Sequence, residues 1–277
     1  MIDRTEYPAG VPCWIDLPTI NVDAAVEFYG GLFGWDVVER APTGAPRYVA
    51  AQLDGADVAA IAEAPPSAGT QWTTYVSVDD AEAMCARVRS AGGTVLDPPA
   101  RIPRAGIRAL CADPAGARFA LWQPDGRVGA ERVNVHGSWN FNELRTPDPA
   151  GAEAFYGAVF GWVTQHIDFG AGDATMWRRP GYGDFLATLD PTIRERHAEE
   201  AFDGFSDAVG WMATAAAGTP AVWDLTFAVD DTDLVAEQAV KLGGTLESGP
   251  ETVGPTRVAV LTDPAGARFT VSHYSPG

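Results

Sequence analysis

The chain has 277 residues, 46% of them hydrophobic, a globular composition long enough for two domains, so a disordered acidic tail is excluded as its main body. Its 37 Asp+Glu against 19 Lys+Arg give a formal net charge of −18, which excludes the basic face that nucleic acid needs. No apolar run approaches the roughly 18 residues of a membrane span, and the opening MIDRTEYPAG has no secretory pattern. Three cysteines, Cys13, Cys85 and Cys111, are too sparse for a disulfide framework, so a cytoplasmic protein with reduced thiols and no membrane partner is expected.

In chain order, a short strand is predicted at 13–17. Asn21 then reads as the N-cap of a helix over 22–33 that stops at Gly34. Short strands follow near 36–40, 46–53 and 56–62. A second strand and helix come next, at 73–78 and 80–91, closed by Gly92-Gly93. Three strands near 94–97, 106–112 and 117–122 complete the series. The last two are joined by Asp113-Pro114-Ala115-Gly116, the residue pattern of a type I turn. The order is βαβββ, twice.

The second half of the chain repeats the first. FYGGLFGW at 28–35 returns as FYGAVFGW at 155–162, and DPAGARF at 113–119 returns unchanged at 263–269. Trp72 before TTYVSVDD matches Trp223 before DLTFAVDD, and Gly92-Gly93-Thr94 matches Gly243-Gly244-Thr245. Asp148-Pro149 caps the equivalent first helix, which stops at Gly161. The second copy carries about 23 extra residues between its halves. This insertion, 191–216, has apolar residues at helical spacing interrupted by Gly204 and Gly210. It is either a surface cover or a lid that brings Phe202, Phe205 and Trp211 over a ligand.

One helix per four strands covers one face of a module and leaves the other for a second module or a ligand. The expected fold class is therefore α+β: four βαβββ modules forming two eight-stranded open troughs. The expected domains are 1–127 and 128–277, the second carrying the inserted helical segment.

FYxxxFGW followed by DPxG, in this order and twice, resembles the vicinal-oxygen-chelate superfamily of glyoxalase I, extradiol dioxygenases and bleomycin-resistance proteins. The tandem form is similar to actinobacterial glyoxalase-like proteins, some from antibiotic gene clusters and labelled hydroxylases. The resemblance implies metal ligands, usually His or Glu, on the first, fourth, fifth and eighth strands of each trough. Aligned on the first helix and the DPxG turn, those positions hold Trp14, Thr73 and Ala120 in one copy and Phe141, Asp224 and Thr270 in the other. Glu63 and Asp190 lie near the fourth-strand position. Trp, Phe and Ala do not coordinate divalent ions, and none of His136, His166, His197 and His273 aligns with a ligand position. No metal and no cofactor are expected.

Strand alternation sets the neighbours of these positions. Trp14 shares a face with Asp16, Phe141 with Glu143 and Arg145, Thr73 with Tyr75, Ala120 with Trp122, and Thr270 with Ser272. The catalytic candidates are Asp16, Glu143 and Asp224. The ligand-binding candidates are Trp14, Tyr75, Trp122, Phe141, Arg145 and Thr270, an apolar wall with a few polar groups. The plainer alternative makes the acids solvated strand ends or partners of Arg145. Trp35, Trp162, Trp72 and Trp223 recur with the motif and are expected in the core. Trp14, Trp122, Trp139, Trp177 and Trp211 lack a tryptophan counterpart and are candidates for ligand walls, with core packing the plainer reading of each.

The expected function is metal-independent binding and transformation of a hydrophobic aromatic natural-product intermediate, by hydroxylase-like or proton-transfer chemistry. The alternative is a non-catalytic protein that sequesters a drug or product, and the −18 charge suits a neutral or cationic ligand. A monomer or a homodimer fits, since tandem modules can pair within one chain.

Overall fold

The computed structural model describes residues 3–168, 173–200 and 203–275, and among them two open eight-stranded mixed sheets form, with few helices. The first repeat supplies β1 (Pro12–Thr19), α1 (Val22–Phe33), β2 (Asp36–Glu39), β3 (Tyr48–Leu53) and β4 (Ala56–Glu63). It continues with β5 (Thr73–Ser77), α2 (Ala81–Ser90), β6 (Thr94–Ile102), β7 (Gly106–Ala112) and β8 (Arg118–Pro124). Its strand order is β2-β3-β4-β1-β5-β8-β7-β6.

The second repeat supplies β9 (Ser138–Thr146), α3 (Pro149–Phe160), β10 (Val163–Asp168), β11 (Asp173–Arg178), α4 (Tyr182–Leu189), α5 (Ile193–Glu200) and β12 (Ala208–Thr214). It ends with β13 (Val222–Ala228), α6 (Thr232–Lys241), β14 (Thr245–Val253), β15 (Thr256–Thr262) and β16 (Arg268–Tyr274). Its order, β10-β11-β12-β9-β13-β16-β15-β14, has the same topology. The first and last strands of each module pair in parallel, β1 with β4, β5 with β8, β9 with β12 and β13 with β16.

The helices begin and end where the sequence signals them. The Asn21 side chain accepts the Ala24 N–H at 3.1 Å, and Gly34 takes a left-handed φ of 72° to close α1. Asp148 and Gly161 do the same for α3, with Pro149 in its first turn. Asp80 and Asp231 cap α2 and α6.

The insertion differs from the sequence expectation. Its helical part starts earlier, at α4, and continues through α5 to a 3₁₀ turn at Phe205–Asp207, whereas 208–214 is the strand β12. It stands between β11 and β12, where Asp54-Gly55 joins β3 to β4 in the first repeat. Asp207 docks it by accepting the Gly183 N–H at 2.8 Å and pairing with Arg178 at 3.3 Å. Trp211 is thus a sheet residue, the register partner of Glu143. Phe205 meets the His197 ring edge-on at 5.1 Å, and Phe202 lies outside the described residues.

By contacts the chain divides into two compact units that interleave the repeats. One comprises Met1–Cys13, Thr74–Gly129 and Asn142–Trp223; the other comprises Trp14–Thr73, Ala130–Phe141 and Asp224–Gly277. The first unit buries Val88, Phe119, Leu121, Phe155, Tyr156 and Trp223 in one core, drawn from both repeats. The second buries Phe28, Tyr29, Phe33, Phe227, Leu261 and Phe269 in the other.

The repeated motifs meet across the repeats within each unit. In the second unit Tyr29 Oη donates to Asp263 Oδ2 at 3.2 Å and accepts from Trp72 Nε1 at 3.1 Å. In the first, Tyr156 Oη donates to Asp113 Oδ2 at 3.1 Å and accepts from Trp223 Nε1 at 2.8 Å. The other oxygen of each aspartate accepts two backbone N–H groups of its own turn. Burial pushes both phenols and both carboxyls above their ordinary pKa values.

Trp35 and Trp162 are buried, each donating to a backbone carbonyl at 2.7 Å. Trp139 and Trp177 are core residues too, not ligand walls: they fill the second and the first core respectively. The two cores differ in one polar pair. Thr74 Oγ1 donates to the buried Asn142 Oδ1 at 2.7 Å in the first unit, and the equivalent positions of the second hold Leu225 and Ile15.

Candidate functional site

The alternation expected from sequence holds along every strand that carries a candidate. Ile15, Leu17, Leu225, Phe227, Phe269 and Val271 point into the second core, and Val76, Phe119, Leu121 and Leu144 into the first. Asp16, Asp224 and Thr270 therefore occupy the opposite strand face in the second unit, where Trp14 is partly buried against the same core, and Tyr75, Trp122, Glu143 and Arg145 do so in the first. Phe141 is the last residue of its segment in the second unit.

In the first unit, Tyr75 and Trp122 form an edge-to-face pair, their centroids 6.3 Å apart. Arg108, the register partner of Trp122, donates from Nε to Tyr75 Oη at 2.9 Å and lies 3.4 Å from Asp97. Its guanidinium carbon is 5.7 Å from the Tyr75 centroid. The contact thus combines a charge-assisted hydrogen bond to the phenol oxygen with a cation over the ring. Trp122 Nε1 donates to the Arg127 carbonyl at 2.9 Å. Glu143 and Arg145 sit on β9 opposite Trp211 and Ala213 of β12.

In the second unit, Trp14 Nε1 donates to Tyr48 Oη at 3.0 Å. Asp16 is buried, the register partner of Ala60. Asp224 is buried as well; Arg268 Nη1 donates to its Oδ2, and Arg268 Nε donates to Glu247 Oε2 at 2.8 Å. Thr270 pairs with Thr226 across β13 and β16. The candidates thus fall into two groups, one in each unit. Sequence reasoning missed Arg108, Tyr48, Arg268 and Glu247. The one available signal was a charged residue inside an apolar strand, as in GIRALCA; the pairing itself depends on register.

Asp190 does not take the fourth-strand position. It caps the C-terminus of α4, where hydrogen bonds from Thr192, together with Arg196, hold its carboxyl below the usual carboxylate range. In the parallel register the residue equivalent to Glu63 is Thr214, since Glu63 pairs with Thr19 and Thr214 with Thr146. The three cysteines are free and buried. Burial pushes the Cys111 thiol up to about 12 and raises those of Cys13 and Cys85, so none is an activated nucleophile. Among the described residues, no helix is long and apolar enough to cross a membrane.

The sequence of 13–121 matches the model of the Glyoxalase/Bleomycin resistance protein/Dioxygenase superfamily, and 140–272 matches that of a glyoxalase-like domain. The mycobacterial protein CFP32 of Mycobacterium tuberculosis, which carries a provisional glyoxylase name, is 36% identical over 282 residues, covering 100% of this chain and 99% of its own. The anthracycline biosynthesis protein DnrV of Streptomyces peucetius is 33% identical over 298 residues, covering 99% of this chain and 96% of its own. The chain belongs to this superfamily.

Among solved structures, the Mn(II)-bound glyoxalase of Novosphingobium aromaticivorans shares the fold with a TM-score of 0.63 at 16% identity, over 96% of this chain and 82% of that one. The superfamily's metal set does not fit the residues present. Trp14 and Phe141 stand at the first-strand positions, Ala120 at an eighth-strand position, and Asp224 is already bonded to a guanidinium. Among the described residues, no group of three or more His, Cys, Asp and Glu is arranged to hold an ion.

Proposed function

We propose that the protein is a metal-independent member of the superfamily that binds and transforms a hydrophobic, aromatic natural-product intermediate. The observation that carries this reading is the state of the aromatic side chains. Trp14, Tyr75 and Trp122 each have their polar atom engaged by the protein, by Tyr48, Arg108 and the Arg127 carbonyl respectively. With those handles satisfied, apolar ring surface and not a polar group is what Trp14 and Trp122 would present to a ligand. The near full-length likeness to an anthracycline biosynthesis protein points to the same ligand class.

Asp16 and Glu143 are the acids proposed to meet the ligand, one in each repeat at equivalent strand positions. Each would accept a proton from the ligand or orient a cationic group on it. Each compact unit is proposed to supply one such face, with Tyr75, Trp122, Glu143 and Arg145 in the first and Trp14, Asp16, Phe141 and Thr270 in the second. A non-catalytic sequestering role is favoured instead by the −18 charge, which attracts cationic drugs whether or not chemistry follows.

Turnover of a panel of aromatic polyketides, followed by chromatography, separates the two. Asp16→Asn or Glu143→Gln is expected to lower turnover at least about 100-fold while binding persists. Saturable binding without turnover by the wild-type protein would establish sequestration.

A further inference from the structure

DPAGARF carries an arginine in both repeats, Arg118 and Arg268, on the strand face away from the core. In the second repeat acids surround it. There, Asp224 accepts from Arg268 Nη1 and Glu247 accepts from Arg268 Nε at 2.8 Å. The residues equivalent to Asp224 and Glu247 in the first repeat are Thr73 and Leu96. The pairing follows from the sheet: β13 and β16 run parallel with Thr226 beside Thr270, which sets residue 224 beside residue 268 on the same face. Asp224, Glu247 and Arg268 all belong to the second compact unit.

The Asp224 side chain is 6% exposed and that of Arg268 27%. An ionised carboxylate this buried needs a compensating positive charge. In a metal site the ion supplies it, and Asp224 is the residue aligned with a metal-ligand position. Here the guanidinium supplies it from a tether on the neighbouring strand, and Glu247 fixes the guanidinium from its other side.

We propose that Arg268 stands in place of the metal ion in the second repeat: a built-in cation that neutralises Asp224 and excludes a divalent ion from that position. Asp224 is then a partner of Arg268 and not a proton acceptor. This inference does not depend on the aromatic-ligand reading.

Thermal melts with and without millimolar Mn(II), together with electron paramagnetic resonance of free Mn(II), test it on the full chain. Arg268→Gln is expected to lower Tm by about 5 °C, to bind millimolar Mn(II) weakly through Asp224 and Glu247 alone where the wild-type protein binds none, and to regain part of the lost Tm when Mn(II) is added. Adding Asp224→Asn to Arg268→Gln removes the buried acid itself, so the double variant is expected to melt near the wild type and to lose the Mn(II) response. It also keeps the test readable if the single variant fails to fold. The proposal is overturned if the wild-type protein binds Mn(II) through Asp224, or if Arg268→Gln melts like the wild type. It is overturned equally if the double variant melts no higher than the single one, or if neither the single variant's melting nor free Mn(II) responds to the metal.

Discussion

Asp113 and Asp263 each hold their own turn with one carboxylate oxygen and a tyrosine from the other repeat with the second. Both are buried, and burial raises their pKa above the ordinary value of 3.8 despite the hydrogen bonds that pull the other way. A raised folded value means that these groups contribute stability fully below the unfolded value, and that the contribution is lost as pH rises through the folded one. Asparagine keeps one acceptor oxygen for the turn, turns an amide N–H toward the tyrosine in place of the other, and removes the titration. The Asp113→Asn/Asp263→Asn double variant is therefore expected to gain stability relative to the wild type between about pH 4 and about pH 7, read from urea melts at the two pH values. A difference that stays constant with pH would contradict it.

The helices were the most legible elements because their signals are local. Asn21 with Gly34, and Asp148 and Pro149 with Gly161, mark both ends of α1 and α3 within a few residues. The start of α4 was not legible: it follows Gly181, which offers no capping side chain. Nor was the strand at Ala208–Thr214, whose glycine and small residues looked like the end of a broken helix. Trp139 and Trp177, which lack a tryptophan counterpart and so leave core and ligand wall both open in the sequence, are core residues. The alternation of β1, β5, β8, β9, β13 and β16 sets most of the candidate side chains on the strand face away from the cores. Their polar partners Tyr48, Arg108, Glu247 and Arg268 required the register between strands, which no single strand encodes.

The molecule as a whole shows where a repeat and a folding unit part ways. The duplication was plain in the sequence, and the two sheets follow it. The cores do not: α1 of the first repeat packs with Phe227 and Phe269 of the second, and α3 packs with Phe119 of the first. FY and DPAG occur once in each repeat, and sequence alone does not say whether partners come from the same copy. A fragment of residues 1–127 or 128–277 would expose half of each core. Neither is expected to unfold cooperatively by itself, and mixing the two is expected to restore a single cooperative transition by circular dichroism. A stable, cooperative fragment of either repeat would contradict the interleaved cores.

The functional proposal joins two statements, that the ligand is aromatic and that no metal is needed to hold it. Tryptophan-fluorescence titration of EDTA-treated protein with the aromatic polyketide panel tests both at once. The expected result is saturable quenching that chelation leaves unchanged and that Tyr75→Ala or Trp122→Ala weakens at least about tenfold. Quenching that disappears on chelation and returns with Mn(II) would contradict it.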